Sequence, residues 1–520
     1  MYACACVYEK KVVSLRSLYK FNIQNQTKRT MKKVILSIVS ILFIAPALRS
    51  ENIGVPAECE DVMLQAFYWD SYKNQSGSDS KYGRTKWIDL LKDSAAINAN
   101  FDLVWFPPSA SSSGGVGYYH ACLSNQEGAW GTKTKLAELI EALHKGNTKV
   151  LGDIVINHRY NKSSWTDFWQ DDFGTYGKWQ LTQSHICSGD EAFTDKSSSA
   201  YGSDTHGAAD TGTNDGGCRD LDHSSELVQN WAKAYVQWML DVMKYDGFRY
   251  DMTKGYHGRY LSMYNEAAEP YFSVSEFWDG IDAQVSHLKA TNYNTLIFDF
   301  PLKYELNKAL GVDGTSGETR YNLLKNPSNS LRYKGYKRYA VTFIDNHDTF
   351  ERSDNQGSEF IKYNANLQTA DVKRRIMEAN AYILMMPGVP CVFYPHWKSY
   401  QDEINALIAI RKEAGIHSES GIEETSDATS GNRSYSATIT GHRGTVILRM
   451  GVNRSKEAPA GFEQVLDGGS AGNYTIFLHK NAEGIEDIQE NLRGEKFIRD
   501  GKLYIRRGEQ IFDILGNKIL

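Results

Sequence analysis

The stretch GFRYDMTKGY, residues 247–256, alternates Phe248, Tyr250 and Met252 with Arg249, Asp251 and Thr253. A strand period of two puts the guanidinium of Arg249 and the carboxylate of Asp251 on one face. Such a pair is either an ordinary ion pair, which when buried adds little over apolar residues, or a nucleophile kept ionised and aimed by its neighbour. Three further segments bear on the choice: DIVINH at 153–158, SVSEFW at 273–278 and FIDNHD at 343–348. With Asp251 they supply Glu276 and Asp348, flanked by His158 and His347. Three carboxylates in one site repel one another unless their protonation differs or cations intervene.

These residues must be brought together by a scaffold. Apolar runs at 62–69, 101–108, 149–157, 247–252, 271–278, 295–300, 339–345 and 389–394 read as strands, and amphipathic stretches such as TKLAELIEALHKG and ADVKRRIMEANAYILMMPG read as helices between them. Eight strands alternating with helices predict a (β/α)8 TIM barrel, whose chemistry sits at the C-terminal strand ends, where the four polar segments fall. The connection at 159–223 is too long for a plain loop and is expected to be an inserted subdomain after the third strand. After residue 415 the period changes to two, predicting an all-β domain over 416–480 and a hairpin-like tail module over 481–520. The barrel itself is assigned to 51–158 and 224–415.

The ends and the composition set further bounds. Residues 31–50, MKKVILSIVSILFIAPALRS, place two lysines before an apolar run at 34–48, the pattern of a secretory signal peptide, with Met31 as the expected start and residues 1–30 as an upstream extension. The formal charge is −5; residues 1–50 hold nine basic residues and one acidic, so without them it is −13, which disfavours nucleic acid as a partner. No later stretch has the 18 or so consecutive apolar residues of a membrane span. Cys59, Cys122, Cys187, Cys218 and Cys391 are too widely spaced for a zinc site or a disulfide framework. Cys187 and Cys218 either pair in an oxidising compartment or remain free. With 31 Tyr and 11 Trp, the chain has rings to spare for flat sugar faces or for protein recognition.

DIVINH, GFRYDMTKGY, SVSEFW and FIDNHDT together resemble the four signature segments of the alpha-amylase family of glycoside hydrolases, over about residues 61–420. The resemblance is nearest to plant-type members, through the TKGY turn, the NHDT segment and YILMMPGVPCVFY. It implies a barrel with an insert after strand three and a C-terminal β-sandwich. It also implies a retaining attack on α-1,4-glucosidic bonds of starch or another α-glucan, with Asp251 as nucleophile, Glu276 as acid/base and Asp348 as the carboxylate that holds sugar hydroxyls. His158, Arg249, His347, Tyr118 and Lys254 are the matching sugar-contacting positions. The family's motif after the tyrosine is Asp or Met then Pro, whereas Tyr119 and His120 follow here, which bears on subsite shape rather than on the reaction. Calcium is implied as well: ADTGTNDGGCRDLDH is similar to the family's calcium-binding stretch, giving Asn157, Asp210, Asp220 and the carbonyls of Thr213 and Gly255 as oxygen ligands. A secreted or periplasmic monomer is the expected state. A 4-alpha-glucanotransferase or a maltodextrin-preferring enzyme uses the same carboxylates, and an inactive starch-binding surface protein is the remaining alternative.

Overall fold

Eight short parallel strands close on one another in the order β1-β8-β7-β6-β5-β4-β3-β2. They are β1 (Met63–Gln65), β2 (Leu103–Trp105), β3 (Lys149–Ile154), β4 (Gly247–Tyr250), β5 (Phe272–Ser275), β6 (Leu296–Phe298), β7 (Ala340–Thr342) and β8 (Val389–Phe393). Each lies within one of the eight apolar runs. The computed structural model describes residues 52–73, 82–214, 216–312, 320–350, 352, 369–427, 433–469 and 472–481, together with the backbone of 495–499, 502–507 and 510–513. The signal-peptide reading and the upstream extension therefore lie outside the described residues. The strands are buried almost throughout, as expected for a parallel sheet covered on both faces. Closure is made by β1 on β8, with Met63 opposite Cys391.

The barrel's outer layer includes α1 (Trp87–Asn100), α2 (Lys133–His144), α3 (Glu226–Asp241), α4 (Gly258–Ala268), α5 (Ile281–Ala290), α6 (Phe300–Leu310), α7 (Ala370–Met385) and α8 (Gln401–Ala414). Side chains start several of them: Thr132 accepts from the N–H of Lys135, and Asp299 from that of Leu302. Helix α7 is buried continuously from Arg375 to Met385 because it has the barrel on one side and a sheet on the other. Its last carbonyls are met by the buried Arg411 of α8, which donates to Leu384 O and Met386 O at 2.8 Å and to Gly388 O at 2.7 Å.

That sheet is the C-terminal one, in the order β9-β10-β11-β13-β12, with β9 (Gly421–Asp427), β10 (Ser434–Thr440), β11 (Gly444–Met450), β12 (Glu463–Asp467) and β13 (Tyr474–Lys480). Among the described residues it is a single five-stranded sheet rather than the sandwich expected from the sequence. Alternating burial in β10 and β11 shows one covered face, and α7 and α8 cover it. Strand alternation reports that a face is buried, not whether a sheet or helices bury it. In the tail, β14 (Glu495–Arg499), β15 (Lys502–Arg507) and β16 (Gln510–Asp513) make a separate three-stranded antiparallel sheet.

Candidate active site

The register of β4 between its neighbours sets Arg249 opposite Asp153 of β3. Its guanidinium acts as a hub for three carboxyls. Nη1 donates to Asp153 Oδ1 and to Asp251 Oδ1, each at 2.7 Å, and Nη2 lies 2.9 Å from Glu276 Oε2. The period-two reading of Arg249 and Asp251 is thus realised, and the pair is part of a larger cluster. Asp153 was not singled out from sequence, because its link to Arg249 depends on strand register. Trp105 Nε1–H and the Tyr118 hydroxyl both donate to Asp153 Oδ2 at 3.0 Å.

Burial pushes the carboxyls of Asp153 and Glu276 up, against the pull of Arg249. Hydrogen bonding separates the two. Both Asp153 oxygens receive donors, and of these only the Tyr118 hydroxyl could turn to accept a proton from it. Glu276 receives Arg249 and the backbone N–H of Met252, at 2.8 Å, on Oε2 alone, leaving Oε1 to carry the proton. Met252 can deliver that N–H because its backbone is left-handed, φ 43°, directly after Asp251.

The carboxyls open into a cleft of about 600 Å³ lined by Asp251, Glu276, Asp348, His158, His347, Tyr118, Lys254, Trp69, Trp278 and Arg352 among others. All three carboxylates predicted for chemistry, and four of the five predicted sugar-contacting residues, face this one space; Arg249 lies beneath it. His347 accepts from Gln65 Nε2 on Nδ1 at 3.0 Å, and its Nε2 lies 3.1 Å from Asp348 Oδ2. Burial holds its pKa well below the ordinary imidazole value, with Arg249 and Arg352 adding to the effect, so it is neutral with the proton on Nε2. The rings of Tyr118 and His347 lie nearly parallel, 5.1 Å apart. His158 Nε2 is 3.1 Å from the carbonyl of Tyr118. Lys254 reaches across to the carbonyl of Trp278 at 3.3 Å. Sequence reading missed Trp69 and Arg352. The Arg352 guanidinium lies 3.2 Å over the Trp69 ring and pairs with Asp348 Oδ1 at 3.0 Å. Arg352 stands four residues after Asp348, a spacing that could have marked it.

The insert is tied to the barrel beside this cleft. His158 and Arg159 pair with Asp220 and Arg219 in a short antiparallel ladder, and Asp190 holds Arg219 at 2.6 Å. The ladder brings Asp220 to Asn157, whose Nδ2 is 3.3 Å from Asp220 Oδ1. The N–H of Thr213 donates to Lys254 O at 2.9 Å, laying the 210–213 segment over Gly255. A Cβ on Gly255 would collide with Asn157 Oδ1, and one on Gly212 with the backbone of 254–256, so both glycines are required by close approach. Asp210 Oδ2 is buried without a hydrogen-bond partner, and burial raises the Asp210 carboxyl. The residues proposed for calcium are therefore gathered, with an orphaned carboxylate oxygen among them. Such a donor set, all oxygen, fits a hard cation. Cys187 and Cys218 are both buried, and Cys187 is pushed up by burial and by Asp210, Asp220, Asp222 and Asp190.

Comparison with known proteins agrees with this geometry. The alpha-amylase catalytic-domain family matches residues 97–438, more than half of the chain. Alpha-amylase 3, chloroplastic, of Arabidopsis thaliana is 28% identical over 383 residues, 70% of this chain; the chain spans only 38% of that relative's length. A glucan 1,4-alpha-maltotetraohydrolase of Roseateles saccharophilus is 24% identical over 493 residues, 86% of this chain and 79% of the relative. Among solved structures, a gamma-CGTase from alkalophilic Bacillus clarkii superposes with a TM-score of 0.59 at 16% identity, covering 83% of this chain and 72% of that one, a likeness of fold. With the closed barrel, the carboxyl cluster and the family match on one chain, the protein belongs to the alpha-amylase family of glycoside hydrolases.

Proposed function

We propose that the protein is an endo-acting hydrolase of α-1,4-glucosidic bonds in starch and related glucans, working by double displacement with retention. The observation that carries this reading is the sharing of one guanidinium: Arg249 holds Asp251 on Nη1 and Glu276 on Nη2. Carboxyls gathered in this way suit the roughly 5–5.5 Å spacing of retaining enzymes rather than the roughly 6.5–9.5 Å that leaves room for a water. Asp251, fixed by a charge-assisted bond, attacks the anomeric carbon. Glu276 Oε1 protonates the leaving oxygen and then takes a proton from the water that releases the glycosyl group. A sugar hydroxyl entering between His347 Nε2 and Asp348 Oδ2 would take over the bond these groups now make to each other. Tyr118 supplies a ring face beside it.

The first test is the anomer released. Products of soluble starch should emerge as α-anomers by NMR, and β-anomers at early times would overturn retention. The same reading fixes the sign of the pH response. Glu276 must be protonated to act, and its pKa is raised, chiefly by burial. The alkaline limb of kcat/KM should lie well above the ordinary carboxylate range, and a limb near pH 4–5 would assign the acid elsewhere.

Calcium is proposed at Asn157, Asp210, Asp220 and the carbonyls of Thr213 and Gly255, where it would supply positive charge among clustered carboxylates and fasten the insert to the barrel. An ion bound only by the folded state stabilises by about 2.7 kcal/mol at a hundredfold excess over Kd. EDTA should lower the melting temperature and expose the insert to protease. Asp210→Ala or Gly255→Ala should already melt at the lowered temperature and ignore added calcium. Unchanged melting on chelation, with no calcium in the purified protein, would remove the site.

Residues 31–50 support export to the periplasm or the exterior, which cell fractionation for amylase activity would test. A narrower product range is a second reading, favoured by Arg352 lying on Trp69 and walling the cleft beside Asp348. A dominant single maltooligosaccharide from starch that gives way to a ladder of lengths in Arg352→Ala would support it.

A further inference from the structure

At the opposite end of the barrel from the cleft lies a cluster that the reaction does not use. Glu58 precedes β1 and so sits at the N-terminal ends of the strands. His417 follows α8, and His442 occupies the turn between β10 and β11. One ligand atom from each of these three residues lies within 4.8 Å of the others. His442 Nε2 is 3.5 Å from Glu58 Oε2, while its Nδ1 is 2.9 Å from Glu60 Oε1. A carboxylate behind Nδ1 fixes the tautomer that leaves the Nε2 lone pair free, the arrangement found behind metal-bound imidazoles. Glu60 is itself held by Arg443, which lies 3.1 Å away through Nη1. His417 is buried and accepts on Nδ1 only a long 3.3 Å contact from the N–H of Glu419, weak enough for an ion to displace. Glu58 is held by its own backbone: φ is 45°, and its N–H donates to Glu419 Oε2 at 3.0 Å.

We propose that Glu58, His417 and His442 form a binding site for a borderline divalent transition cation, zinc being the natural probe. Two imidazoles and one carboxylate are a nitrogen-containing set that suits zinc and not calcium. The site is thus chemically distinct from the all-oxygen cluster in the insert. The His417 and His442 rings now stack 4.1 Å apart at 15°, so their in-plane lone pairs run side by side. Ligation requires the exposed His442 ring to swing, which its place in a surface turn permits. Bound metal would join three segments distant in sequence: the lead into β1, the turn after α8 and the C-terminal sheet. It would act as a clasp between barrel and sheet and would leave catalysis alone.

The test uses the full chain, stripped of metal and then returned to buffer with saturating calcium. Isothermal titration with Zn2+ should give one saturable site of roughly micromolar Kd, and Co2+ should give visible ligand-field bands. His442→Ala and Glu58→Gln, both at exposed positions, should weaken zinc binding by at least about tenfold and abolish the cobalt spectrum, and Glu60→Gln should weaken it about 10–100-fold by loss of the carboxylate behind His442. Zinc should raise the melting temperature of the wild type but not of His442→Ala, with starch hydrolysis unchanged in that variant without zinc. No saturable binding below about 1 mM Zn2+, or equal binding by wild type and His442→Ala, would overturn the proposal. The second result would place the ion on other carboxylates, such as those of the cleft.

Discussion

Glu276→Gln is expected to lower turnover of starch by about 10⁴-fold, the upper range for loss of a positioned proton donor, and Asp251→Asn to do at least as much by removing the attacking atom. The two variants should differ in stability. Glu276 is buried and its pKa is raised, so the folded chain keeps a proton that the unfolded chain releases. Native stability then falls as pH rises from the unfolded carboxyl value through the folded one. Glutamine has no proton to lose, so the melting temperature of Glu276→Gln should gain on the wild type as pH rises through that window. Asn at 251 instead removes a carboxylate that Arg249 holds on Nη1. Activity within about tenfold of wild type in either variant would remove that residue from its role, and a constant melting difference for Glu276→Gln across pH would show that its burial is not costing stability.

Arg249→Met is expected to cost about 3–5 kcal/mol, because it leaves Asp153 and Asp251 buried without their cation. Asp153 is already raised by burial, and without the guanidinium it loses the pull that opposes that rise and moves further above its unfolded value. The stability Asp153 allows is then present at low pH, where it is protonated, and is lost as pH rises through the further raised value. The melting difference from wild type should therefore widen between pH 5 and pH 8; an equal difference at both would trace the loss to packing against Trp105 and Tyr118 instead. Arg249→Lys separates charge from shape. It keeps the cation and much of the stability, but an ammonium lacks the fork that serves Nη1 and Nη2 partners together. Its activity should fall far more than its melting temperature.

The polar segments at the strand ends were legible because two constraints coincide there. A buried strand tolerates few charges, so those in GFRYDM and SVSEFW stand out, and a parallel barrel sends all strand C-termini to one face. Glu276, Asp251, Asp348, His158 and His347 follow from these two facts. What stayed hidden depends on pairs that sequence does not bring near each other. Asp153 sits in the quoted DIVINH segment, yet only its position opposite Arg249 makes it a partner. Trp69 follows β1 and Arg352 follows β7, and they meet although β8 lies between those strands in the closed order. The C-terminal sheet was read correctly as β but given the wrong covering, since the apolar face of β11 fits helices as well as another sheet. The orphaned oxygen of Asp210 cannot be foreseen from an acidic loop, for it depends on how the 210–213 segment is laid on Gly255.

The pairing of Met63 with Cys391 also sets a schedule. β1 reaches the ribosome's exit about 330 residues before its partner, so at roughly 5–20 residues per second the first strand waits some 15–65 s with an unpaired edge. β2 can add to it early, but closure must await β8, and the hydrogen-bonding groups on the other side of β1 stay open until then. A chain of this topology is exposed to mispairing throughout its synthesis. Anything that keeps the N-terminal strands from collapsing before β8 emerges, such as a bound chaperone, would raise the yield of closed barrels without changing the stability of the finished one.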